Sequence, residues 1–196
     1  AIEGGGSRHH EIAKEFMYRE PAAWTRLMRR LVTVTADYLI AQARAGADVL
    51  QVFDSWAGAL GHYDYMRYVA PHNTALFAAV KSAGVPVITF STGTGAYIDT
   101  VAKCGGDVLG IDWRTPLDAV RAGPGRQVAV MGNLDPVALL APWRELKAHA
   151  DEVIRNAGRK PGYIFNLGHG ILPPTPVDNV RRLVDYVKQG TMSSDA

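Results

Sequence analysis

Cysteine is almost absent from this sequence, since Cys104 is the only one among 196 residues. A disulfide framework and a cysteine-built metal site are therefore both excluded within one chain, which is typical of a protein in a reducing cytoplasm. Asp, Arg or Gly breaks every long apolar stretch within a few residues, so we expect no membrane-spanning segment. The net charge is only +2, and the arginines are dispersed, so we expect no nucleic-acid partner.

The first ten residues, AIEGGGSRHH, also lack an initiator Met, a basic region and a signal-peptide cleavage pattern. This beginning is expected for the interior of a longer protein. With 47% hydrophobic and 20% charged residues, the composition is that of an ordinary globular protein. We expect a single domain over residues 1–196.

Apolar strands alternate with helices along the chain. Parallel strands covered by helices are apolar on both faces, and the predicted strands show this pattern. The alternation indicates an α/β fold. It fits either a doubly wound open sheet or the C-terminal part, about five βα units, of a (β/α)8 TIM barrel whose N-terminal strands are missing. The five strands are DVLQVF, VPVITF, DVLGID, QVAVMGN and YIFNLG, at residues 48–53, 85–90, 107–112, 127–133 and 163–168.

Proline marks several of the predicted helix starts. Three helices are expected to begin at Thr115–Pro116, Asp135–Pro136 and Thr175–Pro176, with Thr or Asp as the N-cap and Pro as the first helical residue. The other helices are expected over residues 10–19, from Pro21 to a stop at Gly46, over residues 65–84 with a break at Pro71, and over residues 96–106.

Ligands gather at the carboxyl ends of parallel strands in either architecture. Ser55 and His169 follow such ends and have no obvious capping role, so they are the preferred functional candidates, with Asp112 and Asn133 expected at neighbouring ends. Ser55 is not part of a G-x-S-x-G elbow, which argues against a nucleophilic triad. No Cys or His follows the strands at 85–90 and 107–112, which argues against zinc, and His9, His10 and His62 are expected on the surface.

The segment NLGHGILPPTP, residues 166–176, places His169 between two glycines and ahead of three prolines. Glycine permits a sharp turn or a close backbone approach, and proline fixes φ. The pattern predicts a histidine held at a rigid, open rim, although an ordinary strand-to-helix loop with a surface histidine would have the same composition.

Five motifs then establish a resemblance. IEGGGS, QVFDSWAGALG, VLGIDWRTP, VMGNLDP and YIFNLGHGILPPTP stand in the same order and at similar spacing as in the uroporphyrinogen decarboxylase family, over residues 2–188. The resemblance implies a (β/α)8 barrel, a homodimer of the full-length enzyme and a cytosolic step of haem and chlorophyll synthesis. It also implies that this chain is the C-terminal part of the enzyme.

The activity that the resemblance implies is that of a carboxy-lyase. The family converts the four acetate side chains of uroporphyrinogen to methyl groups, giving coproporphyrinogen, without a cofactor or metal. By motif position, Ser55 and His169 match the serine and histidine that contact substrate carboxylates, and Phe53 is expected to offer apolar surface to the macrocycle. The family's arginines, its key aspartate and a tyrosine would lie upstream of Ala1. No catalytic residue is therefore assigned here, and the isolated chain is expected to be inactive.

One stretch departs from the family pattern. Many members carry a lysine near the position of Thr92, whereas this chain has Ser91-Thr92-Gly93-Thr94. Two alternatives remain open: a non-catalytic half-barrel that binds a tetrapyrrole or another anion, and a cobalamin-linked methyltransferase. The second ranks lower, because those relatives build a zinc site from histidine and cysteines, and this chain has His169 where a cysteine would be needed.

Overall fold

The computed structural model describes residues 2–192, with side chains up to residue 189. The chain divides after Asp107 into two compact units. The single domain expected over residues 1–196 stays a prediction. Within residues 2–192, none of the helices combines the length and the apolar character needed to cross a bilayer.

Between residues 2 and 107, the first unit holds five helices and two strands. Short 3-10 turns occupy Ala57–Ala59, Lys81–Ala83 and Gly95–Tyr97. The helix expected over residues 65–84 is divided near Pro71, as predicted, because a new helix begins at Ala70 with Pro71 in its first turn. The elements are α1 (Glu11–Arg19), α2 (Pro21–Arg44), β1 (Leu50–Asp54), α3 (His62–Tyr68), α4 (Ala70–Val80), β2 (Val87–Ser91) and α5 (Ile98–Cys104).

The second unit repeats the alternation of strand and helix. Short 3-10 turns follow α6 at Pro124–Arg126 and β4 at Pro136–Leu140. The elements are β3 (Val108–Ile111), α6 (Leu117–Ala122), β4 (Ala129–Leu134), α7 (Trp143–Ala157), β5 (Tyr163–Leu167) and α8 (Val177–Met192).

The strands of each unit pair in parallel. In the first unit Leu50 of β1 lies opposite Val87 of β2. In the second unit β4 pairs with both β3 and β5, with Val108 opposite Ala129 and Val130 opposite Tyr163. All five predicted strands are present, and parallel strands joined through helices confirm the α/β fold.

Burial separates the strands into two kinds. Every residue of β2 and β3 is buried, as is nearly all of β4, which confirms the expectation of strands covered on both faces. For β1 and β5 that expectation is wrong. In β5, Phe165 and Leu167 pack on the core formed by residues such as Leu146 and Leu183, while Ile164 on the other face is 44% exposed.

Of the N-caps predicted at the three helix starts that contain proline, one is confirmed and two are wrong. Asp135 caps as predicted, its Oδ1 accepting the amide of Val137 at 2.9 Å, although the helix that follows is a 3-10 turn. Thr115 does not cap α6, because its hydroxyl donates to the Asp112 carboxylate at 2.8 Å instead.

Thr175 does not cap α8 either. This helix begins at Val177, and the carbonyl of Pro176 accepts the amide of Val180 at 3.4 Å. The Thr175 hydroxyl is buried and makes no hydrogen bond within the described part of the chain. Pro176 therefore occupies the boundary position that the sequence pattern assigned to Thr175.

Candidate functional site

Ser55 lies directly after β1, in a loop that is tied to the loop following β2. The Thr92 hydroxyl donates to the Ser55 carbonyl at 2.6 Å, and the amide of Gly58 donates to the Thr92 carbonyl at 2.9 Å. The two bonds hold the backbone on both sides of Trp56. Thr92, noted in the sequence only as a departure from the family pattern, therefore supports the Ser55 loop.

The two loops approach so closely that glycine is required at Gly58. A Cβ placed there would lie 2.5 Å from the Thr92 carbonyl oxygen, a distance at which backbone must move. Gly93 faces this contact with φ of 69°, in the left-handed region that favours glycine. The glycines of the two loops therefore allow the backbone contact that the hydrogen bonds then fix.

Tyr97 supplies a second support for the same loop. Its hydroxyl donates to the carbonyls of Ala57 at 2.9 Å and Leu60 at 3.0 Å. Burial, with a smaller contribution from the negative charge of Asp54, raises the pKa of Tyr97 to about 12. The phenol stays protonated at ordinary pH, so it can act as the donor. No motif in the sequence indicated this role.

Phe53 was predicted to offer apolar surface to a ligand, and its side chain is exposed enough to do so. Its side chain is 67% exposed, and its ring meets the buried ring of Phe90 edge-on with centroids 5.7 Å apart. Because successive side chains of a strand point to opposite faces, Phe53 and Asp54 project in different directions. An exposed phenylalanine braced by a buried one presents a fixed apolar surface.

Asp54 belongs to a polar group on the helical side of β1. Burial raises the pKa of its carboxyl, and a hydrogen bond with Asn73 partly offsets the shift. Asn73 also donates to the Tyr65 hydroxyl at 3.1 Å, and that hydroxyl lies 4.0 Å from the Cys104 sulfur. Cys104 ends α5, on a helix as predicted, and burial raises the pKa of its thiol. Such a buried thiol is unreactive.

In the second unit Asp112 organises the loop that follows β3. The side chain is 1% exposed and accepts from the Thr115 hydroxyl at 2.8 Å and from the backbone amide of Arg114 at 3.2 Å. The Arg114 guanidinium supplies the countercharge, with Nη2 2.9 Å from Oδ2. A buried carboxylate needs such partners, because an uncompensated charge in the interior is costly.

The side chain of Asn133, near the C-terminal end of β4, supports the same loop. Its side-chain nitrogen donates to the carbonyl oxygens of Asp112 at 2.9 Å and Thr115 at 2.7 Å. Asp112 and Asn133 were expected at neighbouring strand ends, and this pair of bonds confirms it. Their role is to fix the backbone around Trp113 and Arg114.

His169 follows β5 and is exposed, as a rim residue should be. Its imidazole stands perpendicular to the Trp113 indole, with ring centroids 6.1 Å apart. The preceding Gly168 packs on the backbone of Trp113, so that a Cβ there would lie 2.3 Å from the Trp113 nitrogen, whereas Gly170 has open space around it. Gly168 thus permits a close backbone contact, whereas Gly170 lies in open space at the rim.

The second unit therefore brings together three of the four polar candidates, since Asp112, Asn133 and His169 all lie around Trp113. Ser55 belongs to the first unit, so a rim shared by Ser55 and His169 stays a prediction. Among residues 2–192, the structure contains no group of three or more His, Cys, Asp or Glu side chains that could hold a metal ion.

These features define a class. Parallel α/β units with hydrogen-bonding side chains and an exposed aromatic ring at the carboxyl ends of their strands are typical of proteins that bind small ligands there. A family model described as uroporphyrinogen decarboxylase (URO-D) matches residues 1–190. The chain belongs to that family.

Individual relatives agree with this assignment. The chain is 50% identical over 200 aligned positions to a uroporphyrinogen decarboxylase of Chloroflexus aurantiacus, a match that covers 100% of this chain and 56% of the relative. It is 50% identical to that of Thermus thermophilus and 47% identical to that of Solibacter usitatus, with 96% of this chain covered in both cases and 55% and 54% of the relatives. The chain spans about half the length of the curated relatives it matches.

Proposed function

We propose that the full-length product of the encoding gene decarboxylates the four acetate side chains of uroporphyrinogen to give coproporphyrinogen, without a cofactor, and that this chain supplies part of its substrate site. The observation that carries the proposal is the family match over residues 1–190, together with relatives of this name that are about 50% identical. The product is a carboxy-lyase of porphyrin and haem biosynthesis, which we place in the cytoplasm as a homodimer.

The chemistry defines what the protein must do. Protonation of a pyrrole carbon makes that ring a cation, which accepts the electron pair released when the bond to the acetate carboxylate breaks and carbon dioxide leaves. The methylene carbon then takes up a proton and becomes a methyl group, and the ring carbon releases the first proton, which restores the pyrrole. The protein must orient the macrocycle, hold its carboxylates and stabilise the ring cation.

Ser55, His169 and Phe53 are suited to the first two of these tasks. A hydroxyl and an imidazole N–H can each donate to a substrate carboxylate, and hydrogen bonds to an ionised acceptor are stronger than neutral ones. The Ser55 loop is held by Thr92 and Tyr97, and His169 is braced by Trp113. Phe53 offers its exposed ring to the apolar faces of the macrocycle.

The proton donor and the group that stabilises the ring cation are assigned to the part of the relatives that this chain does not match. Residues 1–196 alone are therefore expected to form no coproporphyrinogen, because groups that stabilise the transition-state charge count for orders of magnitude in rate. Exposed strand edges and apolar surface also favour association. We expect the isolated chain to be an oligomer or to require its complement.

The test compares two proteins, residues 1–196 and the full-length gene product, by coproporphyrinogen formation from uroporphyrinogen and by size-exclusion chromatography. The proposal predicts turnover by the full-length product and none by residues 1–196. A full-length product that binds uroporphyrin without turnover would favour the non-catalytic binding protein. A stable monomer of residues 1–196 that turns over substrate would contradict the division of roles.

A further inference from the structure

Arg114 combines a fixed position with an exposed charge. Its Nε and Nη2 lie 3.1 and 2.9 Å from the same oxygen of Asp112. The Asp112 side chain is 1% exposed, whereas that of Arg114 is 56% exposed. Within residues 2–192 no hydrogen bond engages Nη1. One edge of the guanidinium is therefore anchored, while the other keeps N–H donors for an external acceptor.

The planar face of the Arg114 guanidinium also packs on the Trp113 ring. Its carbon Cζ lies 4.4 Å from the centroid of the Trp113 ring, a cation–π distance. The same indole meets the imidazole of His169. Trp113 thus contacts both Arg114 and the residue proposed to bind a substrate carboxylate.

The backbone beneath this group is rigid. Asn133 donates to the carbonyls on either side of Trp113 and Arg114, and Gly168 lies directly against the Trp113 backbone. Because the guanidinium is anchored before any ligand arrives, binding would cost little side-chain entropy. This arrangement suits recognition of a planar carboxylate, for which arginine offers two parallel donors.

From this geometry we infer that Arg114 is a further substrate-binding residue, which receives a second carboxylate of the macrocycle beside the one held by His169. The inference rests on the proposed function. Arg114 makes the bond through Nη1, Asp112 and Trp113 act as positioning residues, and the ligand class is a polycarboxylate with its acid groups spread around a ring. A purely structural Arg114, needed only to neutralise Asp112, is the competing account.

The experiment measures KM and kcat for uroporphyrinogen, and the Kd of uroporphyrin by fluorescence, in the full-length gene product. Arg114→Gln is expected to raise KM and Kd roughly tenfold, the size of one lost charge-assisted hydrogen bond, with kcat changed less than twofold. Arg114→Lys should recover part of the lost affinity, since lysine keeps the charge but lacks the planar set of donors. The matched control is Arg182→Gln, because Arg182 stacks on Trp143 in the same manner, at 4.1 Å, on α8, and it should leave both constants unchanged.

The outcomes separate the two proposals. Turnover by the wild-type protein with an unchanged KM in Arg114→Gln would overturn the inference and leave the proposed function standing. Absence of both turnover and uroporphyrin binding in the wild-type protein would overturn the two together. If Arg114→Gln does not fold because Asp112 has lost its countercharge, the double variant Asp112→Asn with Arg114→Gln is measured instead, with the same KM and Kd criteria.

Discussion

The loops that carry Ser55 and His169 each contain a glycine packed closely on backbone, but they differ in their other supports. The Ser55 loop is tied by hydrogen bonds from side chains of another loop, those of Thr92 and Tyr97. The His169 loop is positioned by contact, because Gly168 lies against the Trp113 backbone and the imidazole against its ring. A hydrogen bond can be removed at modest cost, whereas a backbone contact tolerates no added atom. Removing a side-chain donor to the Ser55 loop should therefore cost less than adding an atom at either glycine.

The largest effect is expected for Gly168→Ala. The added methyl would lie 2.3 Å from a backbone nitrogen, so the loop after β5 must move, at a cost of more than about 2 kcal/mol of unfolding free energy. Thermal unfolding of the full-length gene product measures this. Gly170→Ala, two residues away in open space, is the matched control and should change stability by less than about 0.5 kcal/mol. Equal effects for the two variants would refute the contact account.

Thr92→Val should have a smaller effect. The substitution keeps the shape of the side chain but removes the donor to the Ser55 carbonyl, which costs about 1 kcal/mol of unfolding free energy. Thr92→Ser retains the hydroxyl and should behave nearly as wild type. The decisive observation is KM, which should rise in Thr92→Val if the bond positions Ser55. A valine variant with wild-type stability and KM would show that the bond is dispensable.

The smallest effect is expected for Asp54→Asn, and it should depend on pH. Burial raises the pKa of Asp54 in the folded state, so folding favours the protonated carboxyl. The stability that this provides is complete below the ordinary pKa of aspartate and is lost as pH rises through the raised value. The variant should therefore be more stable than wild type at neutral pH, with the difference vanishing in acid. Tm measured against pH checks this, with the exposed Asp48→Asn as the control.

The strands and the caps show what could be predicted from sequence. Five apolar runs between helices were enough to predict the α/β fold, because hydrophobic pattern determines which segments are buried. The Thr115–Pro116 pair gave a wrong N-cap prediction. Local pattern cannot reveal that the buried carboxylate of Asp112 accepts a hydrogen bond from the Thr115 hydroxyl.

The candidate site could likewise be predicted from sequence only in part. Ser55, His169 and Phe53 were proposed from motif position, and the glycines around His169 signalled a tight turn. The supporting residues Thr92, Tyr97 and Arg114 were missed, since their contacts join residues far apart in the chain or depend on side-chain direction. The mismatch between Thr92 and the family lysine was the one signal that could have drawn attention to the loop after β2.

The most direct test of the account is His169→Ala in the full-length gene product. His169 is exposed and contributes little to core burial, so the account predicts a fall of kcat/KM of at least about tenfold, the loss of one charge-assisted hydrogen bond, with Tm unchanged. Uroporphyrinogen turnover and thermal unfolding of the same preparation provide both numbers. A large fall in Tm with unchanged kinetics would show that His169 is structural and would contradict the proposed substrate site.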